Sequence, residues 1–508
     1  MTAVHDDVRV TTAAGTLRGS RVTVGDSTVH AFLNIPYAAP LIGAARCEAP
    51  GPVGAWDGDR DATSHGPTPP QTPYVAPFSE LLPSAVSPGD ESLNLSVWTP
   101  DPGARGLPVM VWIHGGAFVR GAHSIPTYDG STFARDGVVM VGINYRLGAL
   151  GFLSLPGAPD NRGLLDQIAA LRWVQDNVAA FGGDPDRVTV FGESAGGMSI
   201  ASLLASPLAA GLFRRAIIQS GSGVAAAEVA DARLVAADFT ERFSLPPTVS
   251  GVAQLDDATL LQAQTDQTVA LMSDPSPNRW GRTIASRGLG IMSLFPTIDG
   301  AVLDQLPIDA VRAGAGTGVD VLAGTTRDEF RFFLVPTGVA GGITEEILPM
   351  AFARFGLDPE AAAVYSANRP GATAGDVLCA ALTDHAFRSG TADIVDAIAA
   401  RDGQSAWQYE FAWPTAVRDL RSAHALELPF VFDALDKTRA MTGPDAPQWL
   451  ADDVHATWVR FATTGDPGWD AARPDSPRPV RTFGDPDLEP DAVVLDPRAD
   501  ELPLTGVR

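Results

Sequence analysis

Residues Gly192-Glu193-Ser194-Ala195-Gly196 constrain this chain more than any other five. They follow an apolar, β-branched run, Val188-Thr189-Val190-Phe191, and a small-residue stretch with helical character begins at Ala195. A strand, a turn held by glycines and a helix in that order force the backbone into a sharp bend. Ser194 is then lifted clear of a sheet with its hydroxyl exposed. The helix that follows directs its first N–H groups at the same point, where negative charge can be stabilised. The pentapeptide alone is common in sequences; the preceding strand and the Gly196-Gly197 pair make it specific.

The rest of the chain has the alternation that such a bend requires. LNLSVWTP (93–100), LPVMVWIHGG (107–116) and GVVMVGINYR (137–146) are apolar runs bounded by turn residues, suited to strands buried on both faces. Asn161 to Phe181 carries a helical period through Leu164, Ile168, Leu171, Val174 and Val178, and Gly182-Gly183 stops it. FRRAIIQSG, VDVLAGTT and AWQYEF read as further strands, and Trp449 to Thr463 as an amphipathic helix. The first 35 residues read as short strands joined by glycine turns, and residues 65–90, rich in Pro and Ser, as a long loop. Strands alternating with helices imply an α/β fold with a large, mostly parallel sheet covered on both faces. Residues 225–290 and 340–400 have few strand signals and are expected to be helical insertions over the active face of a single domain spanning 1–508.

Composition excludes several functions. With 60 acidic and 36 basic residues the net charge is −24, which repels a phosphate backbone and argues against a nucleic-acid partner. No apolar run reaches the ~18 residues of a membrane span. The N-terminus lacks a basic start and an apolar core, so no secretory signal is expected. The two cysteines, Cys47 and Cys379, match neither a disulfide framework nor a zinc spacing. Two free thiols and a cytoplasmic setting follow as expectations. Asp57, Asp59 and Asp61 start like a calcium loop but lack its glycine and closing glutamate, and no dinucleotide loop follows a strand. No metal and no organic cofactor is expected.

A serine becomes a useful nucleophile only when a base takes its proton and an acid orients that base. In a strand–turn–helix setting the partners follow the serine as acid, then histidine. Of eight histidines, three lie beyond Ser194: His385, His424 and His455. His385 and His455 fall in helical stretches. His424 lies in a polar connection, RDLRSAHALELPF, next to a strand, and is the expected base. The strand VDVLAG ends in Asp328-Glu329, and spacing alone does not separate these two as the acid. The loop Trp112-Ile113-His114-Gly115-Gly116-Ala117-Phe118 follows a strand, and its glycines allow N–H groups to converge on a carbonyl oxygen.

These motifs together resemble the type-B carboxylesterases of the α/β-hydrolase fold, the group that includes cholinesterases and bacterial p-nitrobenzyl esterases. The resemblance runs through IPYAAP (35–40), LNLSVWTP (93–100), WIHGGAF (112–118), INYRLGALGFL (143–153), VTVFGESAGG (188–197), PTIDG (296–300), GTTRDEF (324–330) and HALELPFVF (424–432). It implies Ser194 as nucleophile, Glu329 rather than Asp328 as acid, and His424 as base. It implies oxyanion donors at the N–H groups of Gly116, Ala117 and Ala195, and a buried polar support from Glu193, Ser220 and Glu427. Phe118, Gly290, Met292, Phe332 and Phe333 are implied as walls of the substrate pocket. Pro69 and Ser92 stand where secreted members carry a disulfide. Residues 65–92 contain no tryptophan, so a choline-ester specialist is not expected. The implied partner is a small ester, hydrolysed through an acyl-enzyme. A carbamate, amide or xenobiotic ester is the alternative, and a non-catalytic binding protein is disfavoured because all three triad residues are present.

Overall fold

The apolar runs lie side by side because each is buried on both faces. A computed structural model describes residues 4–505. Its strands are β1 (Val4–Thr11), β2 (Thr16–Val24), β3 (Ser27–Pro36), β4 (Asp59–Asp61), β5 (Asn94–Thr99), β6 (Leu107–Ile113), β7 (Val139–Ile143) and β8 (Gly183–Glu193). They continue as β9 (Arg215–Gln219), β10 (Ala227–Glu228), β11 (Thr297–Ile298), β12 (Asp320–Thr326), β13 (Ala406–Phe411), β14 (Pro479–Phe483) and β15 (Val493–Leu495). All but β10 and β11 belong to one sheet ordered β1-β2-β3-β5-β7-β6-β8-β9-β12-β13-β14-β15, with β4 beside β2. From β7 to β14 every pairing is parallel, and antiparallel strands extend the sheet on both sides.

Side chains alternate across the parallel strands, so each strand feeds two cores. Val109, Val111 and Ile113 of β6 enter one core with Val188 and Val190 of β8. Met110 and Trp112 enter the other with Phe191, Ile217 and Leu322. The helix Arg162–Asn177 buries Leu164, Ile168, Leu171 and Val174 on the first face. The helix Gln448–Thr464 buries Leu450, Val454, Trp458 and Phe461 on the second.

Residues 225–290 contain the helices Val229–Glu241, Asp257–Ser273 and Arg282–Arg287. Gln264 of the second anchors this segment by accepting from the Ala149 N–H at 3.2 Å. Residues 340–400 contain Leu348–Arg354, Ala361–Ala367, Ala374–Thr383 and Ser389–Ala399. The last packs directly on β12 and β13 and so covers the sheet between the two strands it connects. Cys47 and Cys379 are both buried and unpaired. Among the described residues no helix is long and apolar enough to cross a membrane.

The parallel register matters for function because it aligns the carboxyl ends of neighbouring strands. Ile113 of β6 pairs with Gly192 of β8, Glu193 of β8 with Gln219 of β9, and Gly324 of β12 with Gln219 of β9. Loops leaving these strands therefore meet outside one edge of the sheet, where ligands bind in open α/β folds.

Candidate active site

Ser194 is the first residue after β8 and precedes the helix Ala195–Ala205. Its backbone is held at φ 55°, ψ −121°, a conformation that L-residues rarely adopt. The surrounding structure keeps it there. The Ser194 N–H donates to Gln219 O at 2.9 Å, and Ser194 O accepts from the Met198 N–H at 2.8 Å. The turn also needs small neighbours. A Cβ on Gly196 would lie 2.0 Å from Ile113 O, and one on Gly192 would lie 2.6 Å from the same oxygen. Gly192 therefore permits β8, and Gly196 the first turn of the helix, to approach β6 more closely than alanine would allow.

The facing loop follows β6. Gly116, Ala117 and Phe118 all have positive φ, at 114°, 55° and 61°. A Cβ on Gly116 would lie 2.2 Å from Arg120 O, so this position has no room for a side chain. Gly115 sits against the turn, since its Cβ would lie 3.1 Å from Ser194 Cβ. Among the described residues, no backbone hydrogen bond outside the helices and strands engages the N–H groups of Gly116, Ala117 or Ala195.

Glu329 and His424 come from loops after β12 and β13. Glu329 is fully buried. Its Oε1 accepts from Ser220 Oγ at 2.6 Å and from the Thr326 N–H at 2.8 Å. Its Oε2 lies 2.5 Å from His424 Nδ1. A carboxylate in that position assigns the imidazole proton to Nδ1 and leaves Nε2 as the acceptor. Asp328 has a different task. It is half-buried, its N–H donates to Ser422 O at 2.8 Å, and its Oδ2 accepts from the Ser422 N–H at 3.4 Å. Asp328 thus pins the loop that carries His424.

The far ring nitrogen of His424 lies 3.1 Å from Glu193 Oε1. The approach is close but not aligned as a hydrogen bond, so Glu193 Oε1 has no donor. Glu427 closes the cluster by accepting from Gln219 Nε2 at 3.0 Å, while Gln219 Oε1 accepts from Trp458 Nε1 at 3.1 Å. Glu193, Glu427 and the imidazole all hold protons more tightly than usual. Burial, with Glu427 and Glu329 nearby, raises Glu193 to about 8. Burial and Glu329 raise Glu427 to about 7. Burial lowers His424, but Glu193 and Glu329 outweigh it and raise the imidazole to about 9. Glu193 and His424 thus each raise or oppose the other's titration, and Nε2 accepts a proton only while the imidazole is neutral.

The other two histidines after Ser194 are structural. His385 Nδ1 bonds Thr505 O at 2.8 Å. His455 is buried with its ring 4.4 Å from that of Phe133, and its Nδ1 bonds Val431 O at 2.7 Å. The residues expected to wall a pocket divide into two groups. The rings of Phe332 and Phe333 lie 6.2 Å and 5.2 Å from His424. Phe118 is fully buried with its ring 4.9 Å from that of Phe152, and Met292 is buried in the core, as Phe332 is. Gly290, at φ 68°, borders open space. Sequence reading missed Phe387, whose ring is nearest to His424 at 4.9 Å. It lies in a π-helical segment, Asp384–Arg388, whose wider turn has no periodicity signal to reveal it. Gln219 falls in the QSGS run (219–222), which the resemblance includes, but the sequence assigns the glutamine no role.

The carboxylesterase family model matches residues 6–480. This chain belongs to the carboxylesterase family. The esterase is 38% identical over 484 residues to a para-nitrobenzyl esterase of Bacillus subtilis, covering 91% of each chain. It is 33% identical to a phenmedipham hydrolase of Pseudarthrobacter oxydans over 94% of this chain and 95% of that one. Its structure resembles that of a Geobacillus stearothermophilus carboxylesterase with a TM-score of 0.82 and 35% identity, covering 97% of this chain and 98% of that one. The esterase therefore has the α/β-hydrolase fold and hydrolyses carboxylic esters.

Proposed function

We propose that this esterase works through Ser194, His424 and Glu329 and an acyl-enzyme. The observation that carries the reading is the His424 Nδ1–Glu329 Oε2 contact of 2.5 Å beside the strained Ser194 turn. Ser194 Oγ attacks the ester carbonyl and forms a bond to carbon, while His424 Nε2 takes its proton. The carbonyl oxygen becomes an oxyanion that accepts from the N–H groups of Gly116, Ala117 and Ala195. Collapse expels the alcohol, which receives the proton from His424. Water, deprotonated by the same imidazole, then releases the acid and restores Ser194. Glu329 steadies the imidazolium, with Ser220 and the Thr326 N–H steadying Glu329 in turn. Glu193 and Glu427 set the proton affinity of the cluster.

Substrates under this reading are short- to medium-chain alkyl or aryl esters beside Phe332 and Phe333. Aryl carbamates are a second class, supported by the likeness to the phenmedipham hydrolase. The buried free thiols of Cys47 and Cys379 fit a reducing, cytoplasmic setting. The test is labelling with a fluorophosphonate followed by peptide mass spectrometry. The adduct is expected on Ser194 and absent from Ser194→Ala; an adduct elsewhere, or none with ester turnover intact, overturns the assignment.

A further inference from the structure

Arg120 leaves the same loop that supplies Gly116 and Ala117. Its Cγ would stand 3.0 Å from a Cβ on Gly116, so its stem starts against that proposed oxyanion donor. Its guanidinium lies over the ring of Tyr74, 4.8 Å from the centroid. Two hydrogen bonds hold the two segments together: Gln71 Nε2 donates to Gly121 O at 2.9 Å, and the Gly121 N–H donates to Gln71 Oε1 at 2.8 Å. Tyr74 is also close enough to Glu193 for that carboxyl to raise its phenol along with burial, while Arg120 lowers it. The arginine thus sits at the rim of the active site, half-buried.

Its charge is unmatched. Other arginines held this firmly have a carboxylate or a carbonyl: Arg146 pairs with Asp166, Arg327 with Glu410 and Asp485, and Arg331 with Asp376 and Asp419. Among the described residues Arg120 has neither an ion pair nor a hydrogen bond from its guanidinium, which lies over the Tyr74 face. A guanidinium held over a ring spends no N–H on an ion pair, and two of those donors match a carboxylate with two parallel bonds. A cation fixed beside an oxyanion loop, in a chain of net charge −24, acts as a local counter-charge. It also occupies the aromatic face that would otherwise attract a cationic substrate.

We propose that Arg120 is a specificity-determining residue that binds the free carboxylate of ester substrates carrying one, such as half-esters of dicarboxylic acids or esters of carboxyphenols. This rests on the ester-hydrolase reading and narrows its substrate class. Two matched pairs test it, one for each half of the ester: monoethyl adipate against ethyl hexanoate, and 3-carboxyphenyl butyrate against phenyl butyrate. In at least one pair, the ratio of kcat/KM for the charged to the neutral ester should fall about tenfold in Arg120→Met, mostly through KM. Arg120→Lys should restore part of it. A ratio that changes by less than about twofold in both pairs overturns the proposal. If Arg120→Met does not fold, salt decides on the unaltered protein. Raising NaCl to ~0.5 M should slow the favoured charged ester several-fold relative to its neutral partner, and equal responses overturn the proposal. Failure of the unaltered protein to cleave either neutral ester would instead count against the ester-hydrolase reading.

Discussion

The two sides of the active site are built from different physics. The Ser194 side is a backbone construction. Positive φ at Ser194, Gly116, Ala117 and Phe118, and glycines at van der Waals limits, bring the Ser194 turn against the loop after β6. The His424 side is a side-chain construction, in which Glu329, Glu193 and Glu427 are buried around an imidazole. The first depends on shape and tolerates almost no added atom. The second depends on charge and can be altered without changing shape. Isosteric substitutions therefore separate the two sides.

The largest effect is expected from Ser194→Ala, which removes the nucleophile and leaves the turn. Loss of a triad serine costs on the order of 10⁶ in kcat, measured with p-nitrophenyl butyrate on protein of unchanged melting temperature; retention of a tenth of the activity would sink the assignment. Next comes Glu329→Gln, which preserves volume but no longer favours the Nδ1 tautomer or the imidazolium. A loss of roughly 10⁴ in kcat is expected. Asp328→Asn disturbs only the Ser422 contacts and should stay within about tenfold. The reverse ranking would transfer the acid to Asp328.

Gly116→Ala probes the backbone side. The added Cβ meets Arg120 O at 2.2 Å, so the loop must move. Displacing one oxyanion donor costs about 10²–10³ in kcat, and it should do so with little change in the pH profile. An unchanged kcat would show that Gly116 is no donor.

Glu193→Gln probes the charge side through pH rather than rate. Activity requires neutral His424, so it falls as pH drops through the imidazole pKa. Glu193 is the leading cause that raises that pKa. Neutralising it should lower the acid limb of kcat/KM by about one unit, equivalent to roughly 1.4 kcal/mol. A limb that stays in place, or moves up, would mean that Glu193 does not raise the imidazole. The smallest expected effect concerns the acyl chain. Each buried methylene contributes up to about 0.8 kcal/mol, so each step from acetate toward butyrate should gain less than about fourfold in kcat/KM. A steady fall from acetate onward would mean that no apolar wall faces the acyl group.

Much of this site is legible in the chain because its signals are local. The strand–turn–helix around Ser194, the Gly-Gly pair after β6 and the order of serine, acid and histidine each span few residues, and backbone sterics dictate what glycine permits there. The apolar runs likewise identify strands, since burial on both faces demands unbroken hydrophobicity. What needed the tertiary structure depends on partners far apart in sequence. Glu329 and His424 are 95 residues apart, and their contact exists only because β12 and β13 pair in parallel register. Asp328 and Glu329 are neighbours with the same charge, and only the pairing of one with His424 and the other with Ser422 separates their tasks. The approach of Glu193 to His424, the ring of Phe387 and the unpaired Arg120 over Tyr74 are equally invisible along the chain. Local conformational preference was enough to determine where Ser194 stands; burial and through-space charge, which have no sequence period, decided what surrounds it.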